Sequence, residues 1–324
     1  MRMLPALAAC LALALPAGPS RADWPERNIT MLVPFAAGGP TDVVARIVAE
    51  NMSRTLGQQV IIENVAGAGG TTGITRAAQA APDGYAIMMG HMGTHGAAPA
   101  VYPGLKYDPT KDFAPVGLVA GTPIVIVARK NFPAKDLKEF MAYVKANGPK
   151  LNEAHAGVGS VSFTTCSLLN SILGVNPTRV VYRGTGPALN DIVSGQVDYM
   201  CDQIVNLVPQ IEAGTIKAYA VAIPARSPAI PEVPTTKEAG LPEFQVSAWN
   251  AIFAPKGTPP EIVAKLNGAL VKALEDPTTR KRFLDLGADL SDTASRTPQG
   301  LQKLVESEVA RWNKVLKGTG QVAQ

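Results

Sequence analysis

"ITMLVPFAAGGPTDVVARIV", residues 29–48, decides the fold class of this chain. The apolar run from Ile29 to Pro34 is typical of a buried strand, and residues 41–56 repeat apolar side chains at helical spacing. The glycine-rich turn between them, residues 35–40, admits two interpretations. It is either an ordinary strand-to-helix turn or a cradle that presents backbone N–H groups to an anion.

Predicted strands and helices alternate beyond this stretch. The first set predicts a βαβαβ unit with parallel strands and right-handed crossovers. Its strands are residues 29–34, 59–64 and 86–90, and its helices are residues 41–56 and 72–80. A second alternating set, from Ile124 to Ala222, predicts a second doubly wound unit. The proline-rich residues 223–244 then predict a segment that wraps a surface, because they are too long for an ordinary connection.

Three C-terminal helices, predicted at residues 260–274, 277–286 and 298–317, have no complete sheet of their own. We therefore expect them to pack back on the first unit. The predicted fold class is α/β, with two doubly wound α/β lobes and a hinged cleft. Lobe 1 would comprise residues 23–121 and 253–324 and lobe 2 residues 122–252, with hinge crossings near 122–125 and 247–252. Ligands bind such sheets beyond the carboxyl ends of their strands.

Residues 1–22 have the features of a signal peptide. Arg2 precedes an apolar stretch from Met3 to Ala17, and Ser20-Arg21-Ala22 is a small-x-small cleavage site. We expect cleavage near Asp23 and a periplasmic protein. Leu7-Ala8-Ala9-Cys10 has the composition of a lipobox, which leaves lipidation at Cys10 as an alternative.

The composition is that of a soluble globular protein, with 46% hydrophobic and 17% charged residues. No internal apolar run reaches the length of a membrane span. Without Arg2 and Arg21 of the leader, the chain has 28 basic and 26 acidic residues. This balance, with no basic stripe, predicts no nucleic-acid partner.

Two cysteines follow the predicted leader, Cys166 and Cys201. In an exported protein such a pair favours a disulfide, whereas two buried free thiols are the alternative.

Four glycine-rich turns precede predicted helices, where unpaired backbone N–H groups attract negative charge. They are residues 35–40, 67–73, 157–162 and 184–187. Residues 33–45, 64–75 and 154–178 contain no lysine or arginine, so a multiply charged phosphate would find little compensation. The pattern predicts a small carboxylate ligand held mainly by backbone donors.

Signatures of catalysis and cofactors are missing from the sequence. The turn at residues 67–73 does not match the spacing of the dinucleotide-binding G-x-G-x-x-G, and no phosphate-binding G-K-[ST] loop occurs. Ser160 lacks the flanking glycines of a nucleophile elbow. His91 and His95 lie four residues apart in a glycine-bearing loop without an evident third metal ligand. We therefore predict no cofactor, no metal and no catalytic residue.

Two charged residues near these turns leave alternatives open. Asp42 falls in the first turn of the helix at residues 41–56, where it complements the helix dipole and can pair with Arg46. It could instead meet an ammonium group of an amino-acid ligand. Arg183 is either a solvated surface residue or the partner of a second ligand carboxylate.

Six stretches together resemble one family, the Bug-type (TctC-like) receptors of tripartite tricarboxylate transporters, in order along nearly the whole chain after the leader. They are "WPERNITMLVPFAAGGPTDVVAR", "VIIENVAGAGGTTG", "PDGYAIMMG", "VVYRGTGPALNDIVSGQVDYMCDQ", "RSPAIPEVPTTKEAG" and "FAPKGTPPEIVAKLN". The resemblance implies a two-lobed periplasmic binding protein of type II, whose lobes close on a small organic acid.

The resemblance also implies a set of ligand-binding residues, carried over to the matching positions of this sequence. Lobe 1 would supply Phe35, Ala36, Ala37, Gly38, Gly39, Thr41, His91, Met92 and Thr94. Lobe 2 would supply Gly159, Ser160, Val161, Ser162, Arg183, Gly184 and Asp202. Relatives often have histidine where Phe163 stands, so the resemblance implies an apolar environment, without this polar contact, for the ligand end near Phe163. Cys166 and Cys201 resemble a disulfide pair of a family subset.

The predicted function is therefore the capture of a small carboxylate, either an organic acid, an aromatic acid or an acidic amino acid. A monomeric receptor would present it to the membrane subunits of a tripartite tricarboxylate transporter or to a signalling partner. The alternative is an exported enzyme that acts on such acids with His91 or His95 as base. A third interpretation, a cytoplasmic regulator that senses an effector, is disfavoured because the sequence has a predicted leader and no recognisable DNA-binding module.

Overall fold

The computed structural model describes residues 24–290 and 292–317. The predicted signal peptide, its cleavage site and the lipobox at Cys10 lie outside these residues. In the described part of the chain, no helix is long and apolar enough to cross a membrane.

Strands and helices alternate as the sequence predicts over most of the described chain. The strands are β1 (Ile29–Val33), β2 (Val60–Asn64), β3 (Ala86–His91), β4 (Phe113–Arg129), β5 (Asn152–His155), β6 (Thr178–Val181), β7 (Tyr199–Gln203), β8 (Ile216–Val221) and β9 (Ser247–Pro255). The helices are α1 (Pro40–Leu56), α2 (Thr71–Ala78), α3 (Ala98–Val101), α4 (Leu137–Asn147), α5 (Val161–Leu173), α6 (Thr185–Ser194), α7 (Val208–Glu212), α8 (Pro260–Glu275), α9 (Pro277–Asp285) and α10 (Pro298–Lys317).

The strands form one continuous sheet in the order β2-β1-β3-β9-β4-β7-β5-β6, with β8 also paired to β4. In the first half, β1 lies parallel to β2 and β3, as the βαβαβ pattern predicts. In the second half, β5 lies parallel to β6 and β7, whereas β4 runs antiparallel to β7 and β8. The second half is therefore a mixed sheet.

Strand β4 belongs to both halves of the sheet. Its first part, as far as Pro123, pairs with β9, and from Ile124 onward it pairs with β7 and β8. Strand β9 begins at Ser247, opposite Pro123. This change of partners supports our proposal that the chain crosses between lobes at residues 122–125 and 247–252, and that the lobes divide there.

Helix α1 illustrates how local sequence sets an element. Pro40 occupies its first turn, where a missing N–H costs nothing, and Gly57 ends it in the left-handed conformation with its N–H bonded to the Ser53 carbonyl. Its apolar face, with Val44 and Val48, is fully buried. The C-terminal helices α8 and α10 pack against elements of the first half, including α1 and β4, as the sequence predicts.

Two regions differ from the sequence-based expectation. Residues 92–97 form a single π-helical turn, followed by α3, where we predicted no regular structure. Strand β4 starts at Phe113, eleven residues before the predicted strand at Ile124. Pro115 lies where the β4–β9 register shifts, so the missing ladder hydrogen bond is accommodated by a bulge.

Candidate functional site

A small cavity lies between the two halves of the sheet. Both halves contribute walls, from the carboxyl ends of strands and the starts of helices, as expected for open α/β sheets. The lining residues are Phe35, Gly39, Pro40, Thr41, His91, Ala156, Ser160, Val161, Ser162, Thr185, Asp202 and Gln203. None of these described lining residues is a lysine or an arginine.

Three helices begin at this cavity. Helix α1 starts after Gly39, α5 after Ser160 and α6 after Gly184. Neither Gly39 nor Gly184 supplies a side-chain cap to its helix. The first N–H groups of a helix have no intrahelical acceptor, and the helix dipole adds partial positive charge there. The three helix starts together make a site for a negatively charged group.

Hydroxyl groups fix the start of α5. The Ser160 Oγ accepts a hydrogen bond of 3.2 Å from the Phe163 backbone N–H, which caps the helix. The Ser162 Oγ accepts a bond of 3.1 Å from the Ala156 N–H and lies 3.3 Å from the Ser160 Oγ. All of these groups are buried. The wall formed by α5 is thus held to the end of strand β5.

His91 lines the cavity as a neutral imidazole. Its Nδ1 accepts a bond of 3.1 Å from the Thr94 backbone N–H, so the proton resides on Nε2. Burial lowers the pKa of His91 to about 4. The ring stacks on Phe35, with centroids 4.9 Å apart. The imidazole therefore presents an N–H without a charge at neutral pH.

Asp202 is the carboxyl group of the cavity wall. It is completely buried, and its Oδ2 accepts a bond of 3.1 Å from the Asn206 Nδ2. Its Oδ1 has no hydrogen-bond partner among the residues that the structure describes. Burial raises the pKa of Asp202 to about 7, against the lowering effect of its hydrogen bonds. This oxygen can accept a hydroxyl or ammonium proton, or carry a proton itself.

A second, larger cavity of about 430 Å³ lies beside the first and shares Ala156 with it. Arg183 lines it. The two halves touch along its edge, because the Tyr102 hydroxyl donates a bond of 2.7 Å to the Val158 carbonyl. The Ala36 N–H likewise donates a bond of 3.1 Å to the Arg183 carbonyl. The structure is therefore closed over the inner cavity.

Half of the predicted ligand-binding residues line the inner cavity. These are Phe35, Gly39, Thr41, His91, Ser160, Val161, Ser162 and Asp202. The others lie behind or beside it: Ala36, Ala37, Gly38, Met92, Thr94, Gly159, Arg183 and Gly184. Among them Thr94 orients His91, and Met92 is fully buried. The role of each as a ligand contact stays a prediction.

Ala156, Thr185 and Gln203 line the cavity but were not predicted from the sequence. Ala156 and Gln203 stand at the ends of strands β5 and β7, and Thr185 is the first residue of α6. The strand-end rule could have identified Gln203, since it directly follows Asp202.

Asp42 pairs with Arg46 in the structure, as one of its two predicted roles requires. Its Oδ2 accepts hydrogen bonds from the Arg46 Nε, at 2.9 Å, and the Gly38 N–H, at 3.0 Å. Asn64 donates to its other oxygen. These bonds lower the pKa of Asp42 despite its burial.

His95 does not line the inner cavity. It is buried, and its ring stacks on Phe253 with centroids 4.1 Å apart. Burial lowers the pKa of His95 to about 3. Within the described residues, no three His, Cys, Asp or Glu side chains are grouped to hold a metal ion.

A disulfide joins Cys166 of α5 to Cys201 of β7. Both residues are fully buried. Cys201 directly precedes Asp202, and Cys166 lies just beyond the first turn of α5. The Thr165 hydroxyl reinforces this connection by donating to the carbonyls of Val161 and Cys201. Two walls of the cavity are thus covalently tied.

The family model described as "Tripartite tricarboxylate transporter family receptor" matches residues 44–321. The chain belongs to this family. MatC from Rhodopseudomonas palustris, solved with bound malate, is 54% identical, with a TM-score of 0.88 over 90% of this chain and 100% of that one. The periplasmic binding protein BugD is 45% identical, with a TM-score of 0.90 over 93% of this chain and 100% of that one.

A curated relative from Agrobacterium vitis, the UPF0065 protein in the TAR-I ttuE-ttuC' intergenic region, is 44% identical over 92% of this chain and 86% of its own length. These matches confirm the resemblance inferred from the sequence and the two-lobed fold of a periplasmic binding protein. The protein is thus a member of a family of solute-binding receptors.

The buried Asp202 predicts a pH-dependent stability. Because its pKa of about 7 in the folded state exceeds the unfolded value of about 4, the folded state holds this proton more tightly. The contribution of Asp202 to the free energy of unfolding should therefore fall by up to about 4 kcal/mol as the pH rises from about 4 to about 7. The buried histidines His91, His95 and His155 contribute with the opposite sign over this range, because burial lowers their pKa values. Urea unfolding of ligand-free protein at several pH values measures this change.

The Asp202→Asn variant lacks this contribution, so the difference in free energy of unfolding, variant minus wild type, should rise by up to about 4 kcal/mol between about pH 4 and about pH 7. Glu153→Gln is the matched variant, because burial also raises the pKa of Glu153 to about 7 and its contribution has the same sign. A profile for Asp202→Asn identical to that of the wild type would contradict the prediction.

Proposed function

We propose that this protein is a periplasmic receptor that binds a small dicarboxylate of the size of malate in the inner cavity. One observation carries the proposal: the starts of α1, α5 and α6 converge on a cavity whose described walls contain no lysine or arginine. Helix starts and the neutral His91 Nε2–H would donate hydrogen bonds to carboxylate oxygens. MatC, the 54% identical relative solved with malate, supports this ligand class.

Asp202 adds selectivity to this arrangement. The Oδ1 of Asp202 has no hydrogen-bond partner among the described residues. If Asp202 is ionised, this oxygen would repel a ligand carboxylate placed next to it. A hydroxyl group on the ligand would donate to this oxygen, as would the ammonium group of an acidic amino acid. We therefore propose that dicarboxylates with a hydroxyl or amino substituent bind more tightly than unsubstituted ones.

The membrane subunits of a tripartite tricarboxylate transporter are the proposed partners, because the family model describes their receptors. The closed arrangement, in which Tyr102 and Ala36 bond across the cleft, would be the form presented to them. The predicted leader would export the chain to the periplasm, where it would act as a monomer.

Isothermal titration calorimetry of ligand-stripped protein tests the function. L-malate should bind with a micromolar Kd or tighter, and succinate about tenfold more weakly, because it lacks the hydroxyl group for Asp202. Dimethyl malate is the matched control ligand: it keeps the hydroxyl group but has no carboxylate, so it should not bind. Absence of heat with malate, succinate, adipate and glutamate alike would refute the proposal.

A further inference from the structure

Gln203 occupies an unusual position in the cavity wall. It ends strand β7, lines the inner cavity and is 2% exposed. Its Oε1 accepts a hydrogen bond of 2.6 Å from the Thr122 hydroxyl and one of 2.9 Å from the Asn250 Nδ2. Thr122 and Asn250 are themselves completely buried.

The two donors come from the strands shared between the halves of the fold. Thr122 lies on β4, one residue before Pro123, and Asn250 lies on β9, which pairs with the same part of β4. The Asn250 Nδ2 also lies 3.3 Å from the Thr122 Oγ1. Thr122, Gln203 and Asn250, here called the carboxamide triad, thus join segments that are far apart in sequence.

The triad fixes the orientation of the Gln203 carboxamide. A carbonyl oxygen has two lone pairs, and both are used by Thr122 and Asn250. The Nε2 must therefore point to the other side, and its two N–H donors have no hydrogen-bond partner among the described residues. These donors are therefore available to a group bound in the cavity.

Two half-buried carboxamides of this chain use their donors within the protein. The Asn267 Nδ2 donates to the carbonyls of both Val116 and Arg296, and the Gln245 Nε2 donates to the Thr236 hydroxyl. Gln203 differs because its donors remain available at the wall of a cavity built for an anion.

We propose that Gln203 is a ligand-contacting residue whose Nε2 donates a hydrogen bond to an oxygen of the bound acid, and that Thr122 and Asn250 are the positioning residues that aim it. The inference rests on the proposed function and adds a specific side-chain donor to it. It also connects the bound acid, through one carboxamide, to both strands that the two halves share.

Calorimetry with L-malate tests the contact. Gln203→Met removes the donor while keeping the length of the side chain, and it should weaken malate binding about tenfold or more. Gln203→Glu should weaken binding further, because it keeps an acceptor for Thr122 but places a carboxylate against the anionic ligand. Gln245→Met is the matched control and should bind malate within about twofold of the wild type. Wild-type affinity in Gln203→Met would overturn the contact.

NMR of the side-chain amide of Gln203 tests the positioning separately. Its ¹⁵N cross-peak is assigned by its loss in Gln203→Met. Thr122→Val should move this cross-peak in ligand-free protein, Thr122→Ser should restore it, and the control Thr236→Val should leave it unchanged. An unmoved cross-peak in Thr122→Val would overturn the positioning role.

The same spectra separate failure of this inference from failure of the proposed function. If the wild type binds malate but the Gln203 cross-peak does not move, the contact is refuted while the function stands. If the wild type binds none of the acids, the proposed function and the contact both fail, and the ligand-free comparison still decides whether Thr122 orients Gln203.

Discussion

Gly69→Ala should weaken malate binding by about 100-fold or more, because it prevents the two halves from meeting. A Cβ atom at Gly69 would overlap the Val158 carbonyl oxygen, which belongs to the opposite side of the cleft. The same carbonyl accepts the Tyr102 hydroxyl across the cleft, so it cannot move without loss of that bond. Since binding requires the closed form, the apparent affinity falls with the fraction of closed molecules.

Gly174→Ala is the matched control for this substitution. Gly69 has φ of 60° and Gly174 has φ of 68°, so both variants place a side chain in the left-handed region. A Cβ at Gly174 meets no atom of the described part of the chain within 4 Å. Both variants should lose similar thermal stability, but only Gly69→Ala should lose affinity and show a larger radius of gyration in X-ray scattering with malate. Equal affinities for the two variants would contradict a closing role for this contact.

Reduction of the Cys166–Cys201 disulfide should lower the free energy of unfolding by about 4 kcal/mol. The bond closes a loop with a sequence separation of 35, and its loss restores the corresponding conformational freedom to the unfolded chain. Urea unfolding of the wild type with and without a reductant measures the difference with the same side chains in place.

Ligand affinity should fall as well, by about tenfold, because the bond ties the start of α5 to the strand that carries Asp202. The Cys166→Ala/Cys201→Ala variant supplies the control: it should resemble the reduced wild type, and the reductant should not change it. Superimposable unfolding curves for oxidised and reduced wild type, with thiol titration proving reduction, would show that the bond does not stabilise the fold.

Local sequence was sufficient to predict much of this fold. The apolar periodicity of residues 29–90 gives the βαβαβ order, and the glycine-rich turns mark the starts of α1, α5 and α6. The early part of β4 was missed because prolines and glycines interrupt "FAPVGLVAGTP", and such residues normally argue against a central strand. The π-helical turn at residues 92–97 was missed because "MGTHGA" has no apolar period.

The candidate site could be predicted only in part, for a physical reason. A glycine-rich turn before a helix is visible in the local sequence and indicates free backbone N–H groups. Gly39, Thr41 and Ser160 could therefore be predicted as residues of the site. Gln203 acquires its position from Thr122 and Asn250, which lie 81 and 47 residues away in sequence. Nothing near Gln203 in the sequence indicates that its carbonyl is occupied and its amide donors are free.

The passage of β4 through both halves of the sheet limits how such receptors can be recombined. A graft that exchanges one half for that of a relative would have to cut the chain within β4, between Pro123 and Ile124, and again near Ser247, where β9 begins. The new partner would therefore need matching strand register at both cuts. New specificities should arise more readily by replacing side chains around the cavity than by shuffling whole halves.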